Sequence, residues 1–417
     1  MRRRIILAAA LAATAIFGTI PALAGPTQAT VVSDNPVNYT PNVMQGTVYA
    51  IELVGSTVVV GGDFTTVQNS ARTTTYNRTN IFTYNYATGA VNSFTASLDG
   101  DVLALAAGPN NTVYVGGAFH NVNGVAERGI TQLNLSNGSR VAAFTASIGD
   151  GEVRTIEASA GKVYIGGNFA SVDKTARVAL AGINGTTGAL DPHFNLSLTS
   201  PTAGRTKVED TALSPDGKTL IAIGAIQHAS GQPRAQVAMI NVSGTTATVS
   251  NWYTNFYDVN CYSAFSTYVR EVDFSPKGDY FVIVTTGRLT GHNAPCDTAA
   301  RFETAGTGAH NPTWVNDTGG NTLLSVAVTG SAVYVGGHEQ WLDNPKGSKS
   351  AGPGAVSRPG IGAIDPTTGK ALAWNPTRTR GVGVEALVAT SNGLLVGSDT
   401  TELGHEYHAR LGMFPLS

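Results

Sequence analysis

Val113-Tyr114-Val115-Gly116-Gly117-Ala118-Phe119 is the stretch on which the reading of this chain turns. It runs an apolar strand into two glycines and an aromatic residue. The string returns as Val58-Val59-Val60-Gly61-Gly62-Asp63-Phe64, as Val163-Tyr164-Ile165-Gly166-Gly167-Asn168-Phe169 and as Val333-Tyr334-Val335-Gly336-Gly337-His338. Reduced copies are Leu220-Ile221-Ala222-Ile223-Gly224, Phe281-Val282-Ile283-Val284 ahead of Gly287, and Leu394-Leu395-Val396-Gly397. A second apolar strand precedes each copy, starting near Val48, Val102, Val153, Val208, Val269, Leu323 and Val384, at spacings of 51 to 61 residues. One unit written seven times means that a repeat is being folded, not a set of independent elements.

Each unit carries four strand signals, which in the second unit cover 102–106, 112–116, 129–135 and 140–145. Asn137-Gly138, Thr187-Gly188 and Thr368-Gly369 are tight turns that need positive φ at glycine. Four antiparallel strands repeated seven times predict an all-β, seven-bladed β-propeller over 46–417. The last unit ends after three strand signals. Val37-Asn38-Tyr39-Thr40, within the segment 25–45, resembles the outer-strand string Val91-Asn92-Ser93-Phe94-Thr95. The N-terminal segment is therefore expected to complete the last blade and close the ring, which removes free sheet edges.

Composition narrows the rest. Of 417 residues 26 are basic and 28 acidic, for a net charge of -2, and 42% are hydrophobic. That hydrophobic content excludes a disordered chain, and the lack of a basic excess excludes a nucleic-acid partner. Arg2, Arg3 and Arg4 precede an apolar run at 5–20 and the small-residue signal Ala22-Leu23-Ala24. Residues 1–24 thus read as a secretory signal peptide cleaved near Ala24, with an extracellular product. No later apolar run is long enough for a membrane span.

Several residues are singled out by position. An Arg recurs near the third strand at Arg78, Arg128, Arg177, Arg234, Arg301, Arg358 and Arg410, a regularity expected of a structural donor. One aromatic recurs in each outer strand, at Phe94, Phe144, Phe194, Trp252, Trp314 and Trp374. Cys261 and Cys296 fall on one face of the fifth unit, so a disulfide is expected in an oxidising compartment. The least repetitive loops lie on that face. They offer His338, Glu339, Trp341 and Asp343, then His405, Glu406 and His408, and His292 with Asp297, as ligand-face candidates. Asp99, Asp101, Asp150, Glu152 and Asp317 are expected in turns around a channel mouth. No cofactor is expected, calcium being the one that these acids could admit. His405-Glu406-Tyr407-His408 lacks the spacing of the HExxH metalloprotease motif.

The repeat, with its Arg and its Thr-Gly turn, resembles the delta-60 type of β-propeller repeat of secreted bacterial, often actinobacterial, proteins. Leu213-Ser214-Pro215-Asp216-Gly217 and Phe274-Ser275-Pro276-Lys277-Gly278 resemble the turn of WD40-like propellers. The resemblance implies a surface or extracellular binding role and carries over no catalytic residues. The function expected is a secreted, non-catalytic binding or scaffold module for a glycan, a cell-wall component or a protein. The alternative is an extracellular carbohydrate-active hydrolase or lyase using carboxylates on the loop face.

Overall fold

The computed structural model describes residues 26–200, 205–259, 261, 265–287 and 295–417. The expected signal peptide and His292 lie outside the described residues. Everything regular among the described residues is β-structure.

Seven antiparallel sheets follow one another along the chain, each starting with an inner strand. The inner strands are Val48–Val54, Val102–Gly108, Val153–Ser159, Lys207–Leu213, Val269–Phe274, Leu323–Val328 and Val384–Thr390. Each pairs with the strand that ends at the glycine pair or its equivalent, and that strand pairs with a third. Each inner strand also packs on the next, and Val384–Thr390 packs on Val48–Val54.

The glycine pairs have two separate jobs. The first glycine faces the next repeat: a Cβ on Gly61 would sit 2.4 Å from Cγ1 of Val102, and one on Gly397 2.6 Å from Cγ1 of Val48. The second faces its own entering link: a Cβ on Gly62 would lie 2.0 Å from the carbonyl oxygen of Thr47. No side chain fits at either place, so the pair recurs. The residue just before each third strand adopts left-handed φ, at Asn80, Gly129, Ala179, Gln236, Asp297, Gly360 and Arg410.

The outer strands are shorter than expected. Full outer strands occur at Thr248–Val249 and Trp314–Asp317. In the first, second, third and sixth sheets the outer strand is a single bridge: Tyr84–Val91, Leu133–Arg140, Ile183–Leu190 and Ile364–Ala371. The chain then turns at once, as where Phe194 N–H bonds to Asp191 O beyond Pro192, which cannot donate to a ladder. In the seventh sheet the N-terminal segment lies against the last strand, Leu411–Pro415. Val32 bridges Leu416, and Val37 N–H donates to Met413 O at 2.9 Å.

The outer aromatics are buried and tie neighbouring sheets together. The indole N–H groups of Trp252, Trp314 and Trp374 donate to the carbonyls of Glu303, Pro366 and Ser33. The Arg series makes main-chain bonds: Arg78 to Asn92 O at 3.3 Å, Arg234 to Ser250 O at 2.6 Å, and Arg358 to Leu372 O. Arg128 and Arg177 bond the carbonyls of Gly149 and Ala176. One member departs from the expected place before the third strand: Arg301 lies inside the strand Thr298–Glu303, 3.7 Å over the Tyr280 ring. Arg410 directly precedes Leu411–Pro415 and is itself the left-handed residue. Cys261 and Cys296 form a disulfide within the apolar cluster of the fifth sheet.

Candidate functional site: the central cavity

Each inner strand carries a β-bulge at its second residue, or at its third in Lys207–Leu213. A bulge re-aims a side chain. The seven residues concerned are Tyr49, Leu103, Arg154, Glu209, Arg270, Leu324 and Glu385, and all line one central cavity of about 770 Å³. Glu209 is buried among cations. Arg154 Nε lies 3.2 Å and Arg270 Nη1 3.3 Å from its carboxylate, and Lys207 also pairs with it. Burial opposes its ionisation, but Arg154, Lys207 and Arg270 outweigh burial and hold its pKa below the usual range.

Deeper in the strands, carboxylates satisfy main-chain groups of the next sheet. The cavity-facing edge of each inner strand has N–H groups that no strand pairs. Asp210 Oδ2 accepts from Val272 N–H at 2.9 Å, Glu271 Oε2 from Val326 N–H at 2.8 Å, and Asp273 Oδ2 from Val328 N–H at 2.7 Å. Glu52 and Glu157 meet the main chain of Ala107 and Leu213 in the same way. Where the third sheet carries Thr155, its Oγ1 accepts from Thr211 N–H instead. Burial pushes Asp210 and Asp273 up to about 7 and Glu52 to about 8, and raises Glu157 and Glu271 well above the carboxylate range.

The expected ligand-face residues are scattered by comparison. Glu339 is wholly buried, with neither carboxylate oxygen bonded to another residue, and its pKa is pushed by burial to about 8. It occupies the position of Phe64, Phe119 and Phe169 in the other repeats, which is why it points inward and not to the surface. Asp297 is also fully buried, at the left-handed position before the third strand, and its pKa is pushed to about 7. His408 is buried against Thr40, with Nδ1 3.3 Å from its hydroxyl, and burial lowers its pKa. These three do not reach the loop face. Asp343 accepts from Asn316 Nδ2 and Ala371 N–H, so it is a loop staple. Trp341 and Glu406 lie in hairpin strands, and His405 sits at the left-handed turn of the second of those hairpins. His338 Nδ1 is 2.7 Å from Gly381 O.

The expected mouth acids divide. Asp99 accepts from the N–H groups of His120 and Asn121, and Asp150 from Ala170 N–H, so both cap hairpins. Those bonds, with the Asn121 amide first, hold Asp99 down at about 2. Glu152 pairs with Arg154 and so adjoins the cavity rim. Burial raises the pKa of Asp101, with Asp63 and Glu152 adding to the effect. Asp317 is not in a turn: it ends the outer strand Trp314–Asp317 and is buried there. The cavity acids themselves escaped the sequence reading. Their signal was a charged residue inside an otherwise apolar first strand, as in Val153-Arg154-Thr155-Ile156-Glu157 and Val269-Arg270-Glu271-Val272-Asp273.

Comparison with known proteins gives a fold-level result. Residues 108–140 match the family described as "Domain of unknown function (DUF5122) beta-propeller". They contain one copy of the strand, Gly-Gly and hairpin unit that the rest of the chain repeats. Among solved structures, the computationally designed Ika8 protein is similar at 13% identity and a TM-score of 0.48, over 89% of this chain and 97% of that one. No curated protein matches. The chain is an all-β protein in which residues 108–140 match a β-propeller family of unknown function. No described helix is long and apolar enough to cross a membrane.

Proposed function

We propose that the seven sheets are the blades of a closed seven-bladed propeller of delta-60 type, with the segment 25–45 completing the last blade. The protein is exported by the signal peptide at 1–24 and acts outside the cell as a non-catalytic binding or scaffold module. The observation that carries this reading is the set of seven bulges, which turn one side chain per repeat toward a single cavity. A scaffold alone has no need of a charged, open cavity at its centre, whereas a ligand site does. The hydrolase alternative loses support because Glu339, one of its candidate carboxylates, is sealed from any polysaccharide. The partner is a glycan, a cell-wall component or a protein.

The test has two parts. The secreted protein should start near Gly25 by intact mass. Immobilised on a glycan and cell-wall fragment array, it should retain a ligand without releasing reducing ends. Retention of residues 1–24, or turnover of a bound polysaccharide, would overturn the reading.

A further inference from the structure

We propose that the central cavity binds an organic cation, an ammonium group carried on an apolar body, held by the carboxylates of the third, fourth and fifth inner strands. This rests on the reading of the cavity as a ligand site and names the chemistry of its ligand.

Three features of the cavity point the same way. The first is charge. Its walls hold seven acids and two arginines, in a chain whose whole net charge is only -2. Both arginines, Arg154 and Arg270, are engaged with Glu209 at the rim. Below the rim, Glu157 feels the repulsion of Asp210, Asp273 and Glu52, and no cation lines that depth. Burying like charges together without a counter-ion is costly, and a bound cation would relieve it.

The second feature is the pair of apolar walls. The second inner strand contributes Leu103, Leu105 and Ala107, and the sixth Leu324, Val326 and Val328. A bare metal ion gains nothing from such walls, while an alkyl chain does. No group of three or more metal-ligating side chains close enough to hold an ion occurs among the described residues. The carboxylates are spread over several strands, which suits an extended cation.

The third feature is the contribution of the N-terminal segment. Pro26 lines the cavity, and Gln28 fixes the segment by donating Nε2 to the carbonyls of Thr390 and Gly393 at 2.9 and 3.0 Å. The cavity has a volume of about 770 Å³, a size that takes a small molecule.

Calorimetry on the mature protein, with spermidine, 1,5-diaminopentane and calcium chloride as separate probes, tests this. At least one amine should bind saturably, and calcium should not. Near neutral pH binding should release protons, because an ammonium group lowers the pKa of carboxyls that burial has raised. The heat should then depend on the ionisation enthalpy of the buffer. The double change Asp210→Asn and Asp273→Asn keeps an acceptor oxygen for Val272 and Val328 and should weaken amine binding about tenfold or more. Glu157→Gln should do the same if the double variant fails to fold. No saturable amine binding, binding untouched by these changes, or equal binding of calcium would overturn the proposal. A glycan or protein ligand retained without amine binding would sink it and leave the binding-module reading standing.

Discussion

Asp273 on the fifth inner strand accepts the main-chain N–H of Val328 on the sixth, Oδ2 to N 2.7 Å. The bond runs between sheets, from a side chain to an edge that no strand covers. It makes cavity charge part of the architecture, and it sets the first test. Asp273→Ala should lower stability by about 1–3 kcal/mol, the usual cost of orphaning a buried donor, and Asp273→Asn by less. Urea unfolding followed by tryptophan fluorescence measures both.

The pH dependence follows from the same acids. Asp210 and Asp273 titrate at about 7 and Glu52 at about 8 in the folded protein, against about 4 when unfolded. Between these values the folded state holds the extra protons, so the contribution of these three groups to stability falls as pH rises from about 4 to about 8. The melting temperature should drop over that window. The double change Asp210→Asn and Asp273→Asn should flatten the drop, and a slope equal to that of the parent would count against the assignment.

Glu339 offers a gain. It is a fully buried carboxyl at a site that holds phenylalanine in three sister repeats. Burial raises its pKa to about 8, and Arg378 and Arg380 offset that only in part. Glu339→Gln should therefore raise the melting temperature more at about pH 9 than at about pH 6, because only the ionised form bears the desolvation cost. An equal change at both pH values would show that Glu339 is not titrating in place.

Arg378 should be among the costliest side chains to lose. It bonds the carbonyls of Gly337, Gly360, Thr379 and Arg380 and the hydroxyl of Thr400, and its side chain is fully buried. Arg378→Ala should cost about 3–5 kcal/mol, the scale seen when one member of a buried charged network is removed. Arg378→Lys should rescue little, since one ammonium cannot span the fork. Thermal melts of the two variants decide it.

Reducing the Cys261–Cys296 bridge, which joins the entering link of the fifth sheet to a loop before its third strand, should cost about 2–4 kcal/mol. A melting curve with and without reductant checks this directly.

The parts that sequence reading reached were those written in the repeat. Gly61, Gly116, Gly166, Gly336 and Gly397 recur because each abuts a valine at the start of the following inner strand, a contact that leaves no choice of residue. The parts it missed depend on register. Tyr49 and Arg154 face the cavity only because a bulge shifts the ladder by one residue, and a bulge leaves no mark on an apolar run. Glu339 looked like a loop residue because it follows the glycines. Set beside Phe64, Phe119 and Phe169, it stands at a packing position instead. Asp317 resembled a turn former, but its strand runs on to that residue.

The N-terminal segment has a consequence for the order of folding. Gln28 bonds to Gly393, Val32 pairs with Leu416, and Ser417 Oγ donates to Val31 O. These partners lie more than 360 residues apart in the chain. Gln28, Val32 and Val37 therefore lack these partners until the last sheet has been synthesised, whereas Asn42–Val43 can pair earlier with Thr66–Gln68 of the first repeat. Contacts that join the two ends of a chain are slow to form, because the intervening loop must first be closed. The pairing of the last sheet is thus completed by a segment that precedes all seven sheets in the chain.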